Sequence, residues 1–280
     1  MSSHITASPD WACADLVSDL HLQASTPQTA QTWHHYLAQA QCDALFILGD
    51  FFEVWVGDDV LDTAQTDQLS SDDQRNATFW QTCTEQLRAA SQRMQLYMIV
   101  GNRDFLLGQR FFQASGVTPL AEETVLDWHG HRYLLAHGDR WCTSDQAYQA
   151  FRAQVRNPQW QQAFLKHKLS ERLAQAQAMR DQSSQRMQAM SASNQLPDVT
   201  ASAVAQSAAL AQATTVIHGH THTGLDHAMA HGLTRHVLSD WDTDHGAAHG
   251  HAAPRAPRAQ LLRLSRATPG DTQRINLATA

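Results

Sequence analysis

Five short apolar runs stop abruptly at a polar residue: CADLVS before Asp19, DALFILG before Asp50, LYMIVG before Asn102, RYLLA before His137 and TTVIH before Gly219. Each is four to seven residues of buried-strand character with a turn signal at its end. Between the first three lie stretches with helical spacing, around Trp33, Tyr36, Leu37 and Ala40, and around Phe79, Cys83, Leu87 and Ala90. Strand and helix in alternation predict an α/β fold, in which ligands bind beyond the carboxyl ends of the strands. VLDWHGHRYLLAHGD reads as a hairpin turning at His129 and Gly130, and LTRHVLS and AQLLRLS are expected as a further pair of strands, giving a second sheet packed on the first.

Residues 144–190 break this rhythm. They are long, helical and rich in Gln and Ala, with Tyr148, Phe151 and Val155 at helical spacing, and read as a helical cap inserted in a single domain spanning 1–280. The Ser, Ala and Gln of 191–213 predict partial helix, and the Ala, His, Gly and Pro of 243–259 an exposed loop.

A net charge of −7 argues against a chain that wraps nucleic acid through an overall basic surface. No run reaches the roughly 18 apolar residues that span a bilayer, and MSSHITASPDWACADL lacks the charge and apolar pattern of a leader, so a soluble, unexported chain is expected. The four cysteines show no C-x-x-C spacing and read as free thiols. The histidine count of 17 is the compositional anomaly that calls for chemistry.

That chemistry is concentrated where the strands end: Asp19-Leu-His21, Gly49-Asp50, Gly101-Asn102-Arg103-Asp104, His137-Gly-Asp139 and Gly219-His220-Thr-His222. Turns that follow neighbouring strands share one rim, so sets about 200 residues apart can converge. Carboxylate, imidazole and amide without thiolate suit Mn²⁺, Fe or Zn²⁺. Two ions sharing a carboxylate can clamp the attacking and leaving oxygens of an in-line displacement. A single Asp or Asn after a strand is ordinarily a turn residue; five sets in order are not explained that way. His218 reads as packing or hydrogen-bonding behind the site, and His34, His35, His129, His131, His227, His231, His236, His245, His249 and His251 as surface or loop residues.

The series D-x-H, G-D, G-N-x-D, H-G-D and G-H-x-H resembles that of the calcineurin-like metallophosphoesterases, whose fold is a sandwich of two mixed sheets flanked by helices. The resemblance implies Asp19, His21 and His222 around one metal, Asn102, His137 and His220 around the other, and Asp50 between them. The longer blocks LGDFFEVWVGDD, GNRDFLLGQRF and HGDRWCTSDQAYQAFR resemble the UDP-2,3-diacylglucosamine pyrophosphatases of lipid A synthesis over residues 12 to 265. That likeness implies two Mn²⁺ and water attack on the α-phosphorus, giving UMP and 2,3-diacylglucosamine 1-phosphate. It also implies substrate contacts from Asn102, Arg103, Asp145, Tyr148, Arg180, Ser183 and His220, with Asn102, Arg103 and His137 at the reacting centre. Met187 and Met190 stand where relatives commonly carry an amide and a lysine.

Chemically, Arg103 can set its fork on a phosphate oxygen, or pair with Asp104 or Asp139. Asp145 and Tyr148 by themselves read as a helix cap and a packing residue. Residues 151–190 hold seven Lys or Arg against Glu171 and Asp181, a basic face suited to an anionic lipid and an anionic membrane surface. The resemblance to the lipid A enzymes implies peripheral attachment at the cytoplasmic side of a Gram-negative inner membrane. No obligate protein partner is expected. The alternatives are another two-metal phosphodiesterase or phosphatase, and a scaffold that has lost its metals.

Overall fold

The computed structural model describes residues 3–192, 198–244 and 256–278. Among these, two six-stranded sheets form the centre of the molecule. In the first, β2 (Cys13–Val17), β3 (Ala44–Leu48), β4 (Gln95–Ile99) and β5 (Thr118–Pro119) run parallel, and β11 (Gln260–Ser265) and β12 (Thr268–Asn276) extend it antiparallel beyond β2. The second has the order β1 (Ser3–Thr6), β6 (Glu123–Trp128), β7 (His131–Ala136), β8 (Thr215–His218), β10 (Thr234–Val237), β9 (Asp226–Ala228), with mixed directions. The expected mixed α/β sandwich is therefore present.

Alternation along the strands builds the layers. On β3, Ala44, Phe46 and Leu48 face the other sheet, where they meet Leu126, Trp128, Tyr133, Leu135 and Ile217. Leu45 and Ile47 face outward into a second core under α1 (Pro27–Gln39), α2 (Thr63–Thr66), α3 (Ser71–Ala90) and α4 (Gln109–Ser115), where Trp33, Leu37, Trp80, Leu87 and Phe111 are buried. Across the molecule, Leu134, Ala136 and Val216 pack against Val204 and Ala208 of α8 (Ala201–Ala211). Three further helices follow β7: α5 (Gln146–Val155), α6 (Pro158–Phe164) and α7 (Leu169–Ala192).

The five apolar runs are β2, β3, β4, β7 and β8, and VLDWHGHRYLLA is the antiparallel pair β6 and β7. The pairing of LTRHVLS with AQLLRLS is corrected: β10 lies between β8 and β9, whereas β11 lies between β2 and β12, in the other sheet. Local pattern identifies a strand, but its partner depends on which edge the chain returns to. His236 is also not a surface residue; it is buried on β10 with Nδ1 2.8 Å from Asp226 Oδ1. His245, His249 and His251, and the side chains of Met187 and Met190, lie outside the described residues.

Candidate two-metal site and apolar cavity

The turns after the strands are held in an uncommon backbone conformation. Asp19, His21, Asp50, His220 and His222 are five of the eight non-glycine residues with positive φ among the described residues. Such a conformation costs a non-glycine residue roughly 1–2 kcal/mol and persists where its surroundings enforce it. Here the turns are laced together: Asp19 N–H donates to Gly49 O and His21 N–H to Asp50 O, both at 3.0 Å, and Gly219 N–H to His137 O at 2.9 Å. Close approach is permitted by Gly219, where a Cβ would stand 2.2 Å from Asp19 Oδ2.

The side chains converge in two groups, Asp19 with His21 and His222, and Asp19 with Asp50 and His137, the candidate ligand atoms of each lying within 4.8 Å of one another. His222 Nε2 is 3.1 Å from Asp19 Oδ1 and 3.4 Å from His21 Nε2. Asp50 Oδ2 reaches both sides, 3.9 Å from His21 Nε2 and 3.6 Å from His137 Nε2. Asn102 Oδ1 is 2.9 Å from His137 Nε2. His220 stands at the rim, its ring 5.1 Å from that of His137 and 5.7 Å from that of Tyr148, and its backbone N–H donates to Asp19 Oδ2.

This donor set fits cations. His21 Nδ1–H donates to Glu53 Oε2 at 2.6 Å and His137 Nδ1–H to Leu48 O at 2.9 Å, which leaves the Nε2 lone pairs aimed inward. They then face carboxylate oxygens, an amide oxygen and each other's neighbours, a convergence of acceptors that positive charge satisfies. The electrostatics agree. Burial by itself would lower His222, but Asp19, Asp240 and Asp50 raise it to about 9. Burial would likewise push the Asp19 carboxyl up, yet His222, His137 and His21 hold it well below the usual carboxylate range. His220 is the contrast: burial, helped by His137, lowers it to about 3, so its ring is neutral near pH 7.

Beside the cluster opens a cavity of about 460 Å³, walled by Val54, Trp55, Val56, Phe105, Leu106, Phe151, Trp160, Phe164, Ala176 and Met179. Asn102, Arg103, Tyr148, Arg180 and Ser183 also line it, so its polar residues include one of the candidate ligands. Arg103 pairs with neither Asp104 nor Asp139; its Nη1 lies 3.8 Å from Glu53 Oε1. Arg180 donates to the same oxygen, from Nη2 at 3.0 Å and Nε at 3.1 Å. Asp145 caps α5, accepting from Tyr148 N–H at 2.9 Å, and also accepts from Arg186 at 2.5 Å.

The basic face expected over 151–190 is largely spent internally. Arg152 donates to Asp139 and Glu122, Arg156 to Gly101 O, and the buried Arg172 to Val56 O and Asp59. These contacts fasten α5 and α7 over the rim. Two further residues matter here that motif reading left without a role. Asp139 is buried and accepts from Tyr148 Oη at 2.9 Å and Arg152 Nε at 2.7 Å. Glu53 is buried at the junction of cluster and cavity. Its signal was available as the single acid inside the apolar run FFEVWV. His218 is fully buried behind the site, Nδ1–H donating to Gly219 O and its ring edge-on to Trp141.

The chain belongs to the calcineurin-like phosphoesterases, whose family model matches residues 15–224. Within that class it is similar to the UDP-2,3-diacylglucosamine hydrolase of Bordetella pertussis, 41% identical over 236 residues, covering 82% of this chain and 86% of the relative. The proteins of the same name from Shewanella loihica and Chromobacterium violaceum are also 41% identical, covering 80% and 82% of this chain and 87% and 91% of theirs. These likenesses make it a member of that hydrolase family.

Proposed function

We propose that the chain hydrolyses the pyrophosphate bond of UDP-2,3-diacylglucosamine, water attacking the α-phosphorus to give UMP and 2,3-diacylglucosamine 1-phosphate in lipid A biosynthesis. The observation that carries this reading is the junction of an acceptor-rich cation cluster with an apolar cavity of about 460 Å³, with Arg103 and Arg180 between them. A diacyl sugar nucleotide needs both halves, apolar walls for its chains, at roughly 0.8 kcal/mol per buried CH₂, and cationic groups for its phosphates. The names of the relatives point to the same substrate.

Asp19, His21 and His222 would hold one Mn²⁺ and Asn102, His137 and His220 the other, with Asp50 shared. When bound, the ions supply Lewis-acid polarisation and charge stabilisation at the phosphate oxygens. The chain's own groups do the rest. Arg103 and Arg180 bind and orient the anionic pyrophosphate. The Asn102 amide oxygen faces His137 Nε2 at 2.9 Å, two acceptors poised for one cation, and the neutral ring of His220, tilted against that of Tyr148, offers a hydrogen-bonding edge at the rim. Tyr148, fixed through its hydroxyl to Asp139, and Ser183 line the path to the cavity. In this reading residues 144–190 are the cap, and its walls exclude water from the acyl chains.

Attachment to the cytoplasmic side of the inner membrane of a Gram-negative bacterium is part of the proposal. No described helix is long and apolar enough to cross a membrane, while Leu165, 43% exposed, stands beside the exposed Lys166 and Lys168. The test is turnover of UDP-2,3-diacylglucosamine by the purified chain, with and without Mn²⁺, against UDP-N-acetylglucosamine and a chromogenic phosphodiester. Mn²⁺-dependent release of UMP, with label from ¹⁸O-water in UMP, is expected. Preference for either small substrate would favour another phosphodiesterase activity instead.

A further inference from the structure

We infer that Glu53 is a positioning residue, one carboxylate that sets the cation ligand His21 with one oxygen and the cavity arginines Arg103 and Arg180 with the other. The geometry is specific. Oε2 accepts from His21 Nδ1 at 2.6 Å, while Oε1 accepts from Arg180 at 3.0 Å and lies 3.8 Å from Arg103 Nη1. The backbone fixes where this carboxylate starts, because Glu53 N–H donates to Leu22 O at 3.2 Å and Leu22 N–H to Phe51 O at 2.9 Å, which ties the turn that carries His21 to the one that carries Glu53.

Two consequences follow from chemistry. An ionised carboxylate is acceptor-only, so it fixes the His21 proton on Nδ1 and turns Nε2 toward Asp19, Asp50 and His222. Two guanidiniums crowded at one cavity wall repel each other and would swing toward solvent without a buried anion between them. With Glu53 present they are held facing the cavity, ready for a second anion. The ligand that gains is the pyrophosphate of the substrate, and the inference rests on the proposed cation centre and substrate.

The test begins with calorimetric titration of Mn²⁺ into the metal-stripped full chain, with circular dichroism to establish equal folding. Glu53→Gln should weaken Mn²⁺ by about 10- to 100-fold, whereas Arg180→Ala, which touches no proposed ligand, should not weaken it. At saturating Mn²⁺ both variants should raise KM for the lipid substrate, and the double variant should exceed the worse single one by no more than about twofold, since the two act through one contact. Wild-type Mn²⁺ affinity in folded Glu53→Gln, or losses in KM that multiply, would overturn the inference. If the amide variant does not fold, Glu53→Asp replaces it. Withdrawing the charge by one methylene must also weaken Mn²⁺, and unchanged affinity would overturn the inference equally. Failure of the wild-type chain to bind Mn²⁺ or turn over the lipid would instead sink the underlying reading.

Discussion

Each residue of the site is asked to do something its isolated chemistry disfavours, and neighbours supply the compensation. Gly219 leaves the space that Asp19 occupies; Gly219→Ala would set a methyl 2.2 Å from Asp19 Oδ2 and 2.0 Å from Ser18 Oγ. The displaced ligand should lower kcat on the order of tenfold or more, and overpacking this buried turn should cost about 1–3 kcal/mol and lower the melting temperature by several degrees, measured by steady-state kinetics and calorimetry. Asp139 makes a pH prediction. Burial would push its carboxyl up, but His137, Arg152, His220 and Arg156 hold it well below the usual carboxylate range. A folded pKa below the unfolded value of about 3.9 means its stabilisation is complete above that value and is lost as pH falls through the folded pKa. Asp139→Asn should therefore cost on the order of 2–3 kcal/mol near pH 7, with a gap from wild type that narrows below about pH 4 in urea titrations.

Among the elements, α5, α6 and α7 separate this chain's demands from those of a bare phosphoesterase centre. Their inward residues divide between two tasks. Val155 and Leu169 are buried away from the cavity, Tyr148 and Phe151 line it, and Phe164 is buried and lines it as well. Ala176 of α7, like Ala147 of α5, is small in a wall whose other apolar residues are larger, and that absence of side chain is cavity volume. Ala176→Phe should raise KM for a substrate with long acyl chains about tenfold, the loss of roughly two buried CH₂ groups. A short-chain analogue should be turned over nearly as well as by wild type, and comparing the two substrates checks the idea. The anchoring of α7 through Arg172 to Val56 O and Asp59 explains how a helix with little buried surface of its own stays over the rim.

For the whole molecule, the proposed cations and the fold are linked by mass action. The donors come from turns separated by about 200 residues, so the site exists only when both sheets are assembled, and a cation that binds only the folded chain stabilises it. At a free Mn²⁺ concentration 100 times the Kd the gain is about 2.7 kcal/mol. Removing Mn²⁺ with a chelator should lower the melting temperature by several degrees, reversibly, in scanning calorimetry. Asp50→Ala should abolish most of that shift, since Asp50 Oδ2 stands between His21 and His137. Three of the four cysteines should not disturb such measurements: burial pushes Cys42, Cys83 and Cys142 up to about 12, which keeps them as thiols.

The sequence by itself determined the strands that precede the site and the residues placed after them. A buried strand must be a short apolar run, and a turn that carries chemistry must break it with Asp, Asn, His or Gly. It also marked 144–190 as helical, from Gln and Ala richness and helical spacing. Tertiary structure decided the rest. Strand partners were among what it settled, as β10 and β11 lie in different sheets, because pairing depends on long-range return of the chain. Pairing of the charges was another: Arg152, Arg156 and Arg172, read as a free basic face, are bound to Asp139, Gly101 and Asp59. Glu53 was legible as an anomaly and not as a role, since which ligand and which arginines meet one carboxylate is fixed only when three turns and a helix from distant parts of the chain pack around it.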